Sequence, residues 1–380
     1  MPRVREPARP RFGLRVLPLL RLGKMRLSGV AAPLVDRSST RLPVLDERRR
    51  GTTFVELPVR TIVNSPESTG MGFWSINPYV GCEFGCTYCY ARFAHRYVVE
   101  RAWADDRITA QEFADLGSPA GLEPFEHRIF VKARNTVLAA LDRDLALVRR
   151  RTARDGPQSL IIGTATDPYQ PAERQYQLTR AILGRLCSEQ GLRVGVITKS
   201  PLVARDIDLL RRLADRHLVS VYVSLISMDP AVIDRFEARS PLPHTRLRAL
   251  GRLAAAGLRA GLIVAPILPG ITDSSEQIRA LMRAGRMAGA QFVFPSTLRL
   301  YPDVRSRLLP VVERHASHLA GRYRAAYHHS PEAPGAYEVA LQRRFDRIAV
   351  EYGIPRTDGA REQPRVPAPD TQLSLFARSA

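Results

Sequence analysis

The chain has 380 residues, 45% of them apolar and 7% aromatic, with a formal net charge of +20. That length supports a large, mostly aliphatic core: one long α/β domain with appendages. Four cysteines exclude a disulfide-stapled scaffold, and no apolar run reaches the ~18 residues of a membrane-spanning helix.

Only three of the 57 basic residues are lysines: Lys24, Lys132 and Lys199. An arginine-dominated chain fits either a polyanionic partner or a GC-rich genome. The charge is uneven. Residues 1–60 carry 13 Arg and one Lys against five acids, a net of +9. The greasy stretch Phe12–Val35 is interrupted by Arg15, Arg21, Lys24 and Arg26, which argues against a signal segment and for a cytoplasmic protein. Met25 is a candidate start.

In chain order, residues 1–70 read as a basic, largely irregular and flexible N-terminal arm, rich in Arg, Pro and Ser. Order is expected from Phe73. Strand-like runs then alternate with helical ones. The strands are Ser75–Val80, Ser159–Gly163, Arg193–Thr198, Val219–Leu225, Gly261–Ala265 and Gln291–Phe294. Most are rich in β-branched residues and apolar throughout, as strands buried on both faces are. Glu100–Pro157 is an insertion with a helix near Thr136–Arg150. Amphipathic helices follow at Ala172–Gln190, Leu202–Arg216, Thr245–Ala256 and Ser275–Ala288. Gly191, Gly257 and Gly289 stand where C-caps belong. Six βα units predict a partial (β/α)6 TIM-like barrel over residues 71–300. Residues 301–355 read as a helical C-terminal extension, and 356–380 as a Pro-rich, polar, disordered tail.

Three cysteines fall within eight residues, directly after the first strand: Cys82, Cys86 and Cys89, spaced C-x3-C-x2-C. Three thiolates ligate three irons of a [4Fe-4S] cubane and leave the fourth iron open to an amine-and-carboxylate chelate, which S-adenosylmethionine (SAM) offers. Gly81 and Gly85 let the loop wrap closely. The alternative is a Cys3His zinc site completed by His95, which would make the chain a non-catalytic, zinc-stabilised, clamp-associated nucleic-acid-binding protein.

The stretch SINPYVGCEFGCTYCYARFAHRY resembles the radical SAM superfamily, in its branch related to spore photoproduct lyase. GTATDPYQPAERQYQLTR, ITKSPLVARDIDLL, VYVSLISMDP, RFEARSPLPHTRLRAL and VAPILPGITDS extend the resemblance. It implies a partial barrel with its site at the C-terminal strand ends. It also implies a lyase-like DNA-repair enzyme that cleaves SAM reductively to a 5′-deoxyadenosyl radical, fed by an external one-electron reductant. By the same resemblance, Thr166 and Asp167 lie in the segment for the SAM amino group, and Lys199 and Ser224 contact the SAM carboxylate and ribose. Tyr88 lies near the adenine, and Tyr88 and Tyr90 are the candidates to assist hydrogen-atom return. Glu173 and Glu237 lie in matching segments, with ion pairs to barrel arginines as their default role. One departure stands out: the stretch His127–Leu141, where the lyase has its hydrogen-donating cysteine, has none. Cys187 reads as a buried small hydrophobe.

Near the end of the tail, Gln372, Leu373, Leu375 and Phe376 resemble the short peptide with which bacterial repair proteins dock on the DNA polymerase sliding clamp. With the basic arm, this tilts the expected substrate toward a damaged or modified DNA base.

Overall fold

The computed structural model describes residues 44–48, 51–105, 113 and 124–356. Its strands are β1 (Val44–Arg48), β2 (Thr52–Leu57), β3 (Val63–Asn64), β4 (Trp74–Ile76), β5 (Tyr79–Val80), β6 (Arg128–Lys132), β7 (Ser159–Ile162), β8 (Arg193–Thr198), β9 (Leu218–Ser224), β10 (Ala260–Ile267) and β11 (Val293–Thr297).

The larger sheet runs β11-β10-β9-β8-β7-β4-β3. All neighbours are parallel except β3 with β4. Six parallel strands therefore form an α/β partial barrel that does not close. The register aligns Ile76, Ile162, Val196 and Val221 in one row across four strands. All four side chains are 0% exposed. This is the physical reason for the continuous apolar runs: helices cover one face and the barrel interior fills the other.

The covering helices are Leu178–Leu186, Ile207–Ala214, Pro243–Ala255 and Ser275–Met287. Ser274 and Gln277 form a capping box on the last. Gly191, Gly257 and Gly289 take φ of 74°, 78° and 82°, the left-handed conformation that ends a helix at low cost.

Four expectations need correction. Ser75–Val80 is not one strand. Pro78, which cannot donate to a ladder, separates β4 in the large sheet from β5 in a second one. The helix expected over Ala172–Gln190 breaks at Gln177, which has φ of 50°. The Glu173 carboxylate then accepts from the backbone N–H groups of Thr179 (3.0 Å) and Arg180 (3.1 Å), capping the second helix. The helix expected over Leu202–Arg216 begins with a 3-10 turn, Pro201–Asp206.

The arm was expected to be irregular to residue 70, but β1 to β3 lie within it. β1, β2, β6 and β5 make a four-stranded sheet in that order. Its period-two alternation is clean. Phe54, Tyr79, Ile129 and Val131 pack on one face, and Val55, Val80 and Phe130 on the other. After β11 come helices Pro302–His315, Ser317–Ala326 and Gly335–Glu351. Among the described residues, no helix is long and apolar enough to cross a membrane. Most of the basic arm and the whole clamp-like peptide, Gln372 to Phe376, lie outside the described residues.

Candidate active site

The cysteine loop leaves the C-terminal end of β4 through the short strand β5 and turns back on itself. Gly85 N–H donates to the Cys82 carbonyl and Cys89 N–H to the Cys86 carbonyl, each at 3.2 Å. Gly81 (φ 88°) has no room for a side chain: a Cβ there would meet the carbonyl oxygens of Phe125 and Arg128 at 2.8 and 2.9 Å. That close approach lets Cys82 N–H donate to the Phe125 carbonyl at 3.0 Å.

Three segments hold this loop. The first follows β7. The Thr166 hydroxyl donates to the Gly81 carbonyl at 2.7 Å, and Gln170 reaches the same oxygen at 3.2 Å. Asp167 spends its carboxylate on Tyr169 N–H, the Thr198 hydroxyl and Lys199 N–H, at 2.7–2.9 Å. Thr166 and Asp167 thus set the loop and the end of β8 in place. Asn77 joins the same region: its side-chain oxygen accepts from Ala165 N–H at 2.7 Å, and its carbonyl accepts from Lys132 at 2.6 Å.

The second segment follows β9. Phe236 accepts from Thr87 N–H at 3.0 Å, and Ser240 Oγ lies 3.7 Å from Cys86 Sγ. Between them Glu237, 0% exposed, gathers three partners. Arg246 pairs with it at 2.5 Å, the Tyr88 hydroxyl donates to it, and Lys199 Nζ stands 3.8 Å away. Lys199 also sits over the Tyr88 ring at 5.7 Å. Burial raises the Glu237 pKa, and Arg246 opposes that. Ser224 is buried at the end of β9, where its carbonyl accepts from Arg246 at 2.9 Å.

The third segment, residues 124–127, left no signal in the sequence. Glu126 packs against Gly85 and pairs with the fully buried Arg92 at 2.8 Å. Arg307, from helix Pro302–His315, bonds the same carboxylate.

Both tyrosines beside Cys89 are engaged, with different partners. Tyr88 goes to Glu237, while Tyr90, 40% exposed, donates to the Thr164 carbonyl. Glu173 takes the ion-pair role, with Arg205 at 2.9 Å. Cys187 is half-buried in the outer helix layer, its thiol 3.9 Å from the Leu209 carbonyl.

All three loop cysteines are free thiols, with Cys82 and Cys86 buried. Burial pushes the Cys86 thiol up to about 12, and Lys199 is the main group pulling it back. Burial also raises Cys89, where Arg92 is the main opposing charge. A largely buried loop of three thiols with Lys199 and Arg92 within electrostatic reach suits an anionic iron-sulfur cluster. It suits a single zinc ion poorly. A structural zinc site needs a fourth ligand beside three thiolates, and His95 was the candidate. His95 instead lies against Phe125 and Phe130, its Nε2 3.1 Å from the Arg128 carbonyl.

Known proteins resemble this chain in sequence and in fold. The family model of the Radical SAM superfamily matches residues 76–282. An uncharacterized protein of Mycobacterium tuberculosis is 32% identical over 318 residues, which is 83% of this chain and 84% of that protein. An uncharacterized protein of Methanocaldococcus jannaschii is 23% identical over 198 residues, 52% of this chain and 61% of that one. Among solved structures, spore photoproduct lyase complexed with dinucleoside spore photoproduct has the same fold. Its TM-score is 0.54 at 16% identity, over 80% of this chain and 81% of that one. A mutant of that lyase with AdoMet bound gives the same TM-score at 15% identity, with the same coverage. The chain belongs to the radical SAM superfamily.

Proposed function

We propose that Cys82, Cys86 and Cys89 hold a [4Fe-4S] cluster, that Lys199 and Ser224 help hold SAM, and that the enzyme acts on a modified base in DNA. The observation that carries this reading is the three-cysteine loop at the C-terminal end of β4, with Cys82 and Cys86 buried and the Lys199 ammonium over the ring of Tyr88 beside Cys89. When bound, the cluster and SAM supply one-electron cleavage of the sulfonium and a 5′-deoxyadenosyl radical able to abstract hydrogen.

The chain's own groups do the rest. Lys199, a compact ammonium rather than an arginine fork, offers charge to a carboxylate without displacing Glu237. Thr166 and Gln170 fix the loop from one side, and Phe236 and Ser240 from the other. The Tyr90 phenol, 40% exposed and next to Cys89, is the group placed to return a hydrogen atom. Cys187, in the outer helix layer, is poorly placed for that task.

The net charge of +20 supports a DNA substrate, as does a fold shared with a lyase solved in complex with dinucleoside spore photoproduct. The test is anaerobic turnover with SAM, dithionite and oligonucleotides carrying spore photoproduct or other modified thymines, read by mass spectrometry. Loss of the modified base should require SAM and exceed the undamaged control by about tenfold or more. No change in any modified oligonucleotide, alongside turnover of an RNA or a peptide, overturns the DNA assignment.

A further inference from the structure

A cleft of ≈ 510 Å³ opens beside the C-terminal end of β11, between the segment Pro295–Arg299 and helix Gly335–Glu351. That size is in the range of sites that hold a small ligand or one nucleotide-sized group. Its position matters. Because β4 and β11 point the same way in a sheet of parallel strands, the cleft opens on the same end of the barrel as the cysteine loop. β11 is also the edge strand of the large sheet: Val293 N–H donates to the Pro355 carbonyl at 3.0 Å, and beyond that residue β11 pairs only with β10 among the described residues.

The lining suits a nucleic-acid strand. Arg299 and Arg343 are exposed, and neither is in an ion pair among the described residues. Two carboxylates share the lining. Asp346 is neutralised by Arg356 at 2.5 Å, so the two arginines face one carboxylate, Glu338. Ser296 and Thr297 bring hydroxyls. Gln342 brings a side-chain oxygen that is shielded from solvent and has no hydrogen-bond partner among the described residues. An amide lacking a partner is the kind of group that pairs with a base edge, and arginines are the usual contacts to phosphate. Arg299 also connects the cleft to the reaction site, since it stands within electrostatic reach of the Tyr90 hydroxyl, next to Cys89.

We infer that this cleft is the strand-binding subsite. Arg299 and Arg343 hold the backbone phosphate beside the reacting nucleotide, and Gln342 hydrogen-bonds the neighbouring base. The inference rests on the DNA reading above and specifies where the strand lies.

The test uses the full chain, without reductant, and a fluorescein-labelled thymidine decamer. Binding is followed by fluorescence polarisation over a salt series. Arg299→Ala with Arg343→Ala is expected to weaken binding about tenfold and to flatten the salt dependence by about 0.7 for each phosphate no longer neutralised. Gln342→Ala should weaken binding without changing that slope. Arg154→Ala, at an exposed arginine paired with Asp155 away from the cleft, is the control and should match wild type. Photocrosslinking from 4-thiothymidine in the decamer should map to peptides covering 295–301 or 335–346. An unchanged slope with crosslinks elsewhere overturns the inference, as does displacement by polyglutamate as efficient as by unlabelled decamer. Binding through the cleft, by a protein that forms no 5′-deoxyadenosine when reconstituted and given dithionite and SAM in a separate assay, would keep this subsite and sink the radical reading. 5′-Deoxyadenosine production without strand binding would do the reverse.

Discussion

Replacing Glu237 with leucine should cost the fold about 3–5 kcal/mol, the typical loss when one member of a buried ion pair is removed. Glu237 and Arg246 are both 0% exposed and 2.5 Å apart. Without the carboxylate, a guanidinium is left uncompensated in the core, and the Tyr88 hydroxyl loses its acceptor. Arg246 keeps only its bonds to the carbonyls of Pro241 and Ser224. Glu237→Gln, which keeps shape and an acceptor oxygen, should lose less. Urea unfolding of the three forms measures the difference. A Glu237→Leu form within about 1 kcal/mol of wild type would mean that the pair contributes little and that Arg246 finds other partners.

Lys199→Met should weaken SAM binding about 10- to 100-fold, the worth of one charge-assisted hydrogen bond of about 1.5–3 kcal/mol. Lys199 is well held: its N–H donates to Asp167 at 2.7 Å, and its ammonium lies between Glu237 and the Tyr88 ring. The side chain is 16% exposed, so it keeps one open side. Equilibrium SAM binding to the reconstituted protein provides the readout, beside an unfolding curve to separate affinity from folding. A dissociation constant within about twofold of wild type would move the carboxylate contact elsewhere and leave Lys199 as a neutraliser of Glu237.

The large sheet was legible because parallel strands buried on both faces leave long apolar runs with glycines at the helix ends. Arg193–Thr198 is β8 to the residue. The small sheet was not legible. RIFVK and VLDER are short, mix charged with apolar residues and are widely separated, so only tertiary pairing makes them strands. The cysteine loop was visible from its spacing. Its supports were legible only in part: Glu237 makes the ion pair expected of it, with Arg246, but only long-range packing brings Glu237 and Glu126 against the loop. Thr166 and Asp167 were singled out by resemblance alone, and what they do structurally could be read only from the hydrogen bonds: they hold the loop and the end of β8.

On the reading proposed above, the loop of Cys82, Cys86 and Cys89 holds a cluster that cleaves SAM. Its most direct test is anaerobic reconstitution with iron and sulfide, then dithionite and SAM, assaying 5′-deoxyadenosine from wild type and Cys86→Ala. Wild type should carry about four irons and four sulfides per chain and form 5′-deoxyadenosine, and Cys86→Ala should form none. Zinc without sulfide in the purified protein, and no 5′-deoxyadenosine from either form, would contradict it.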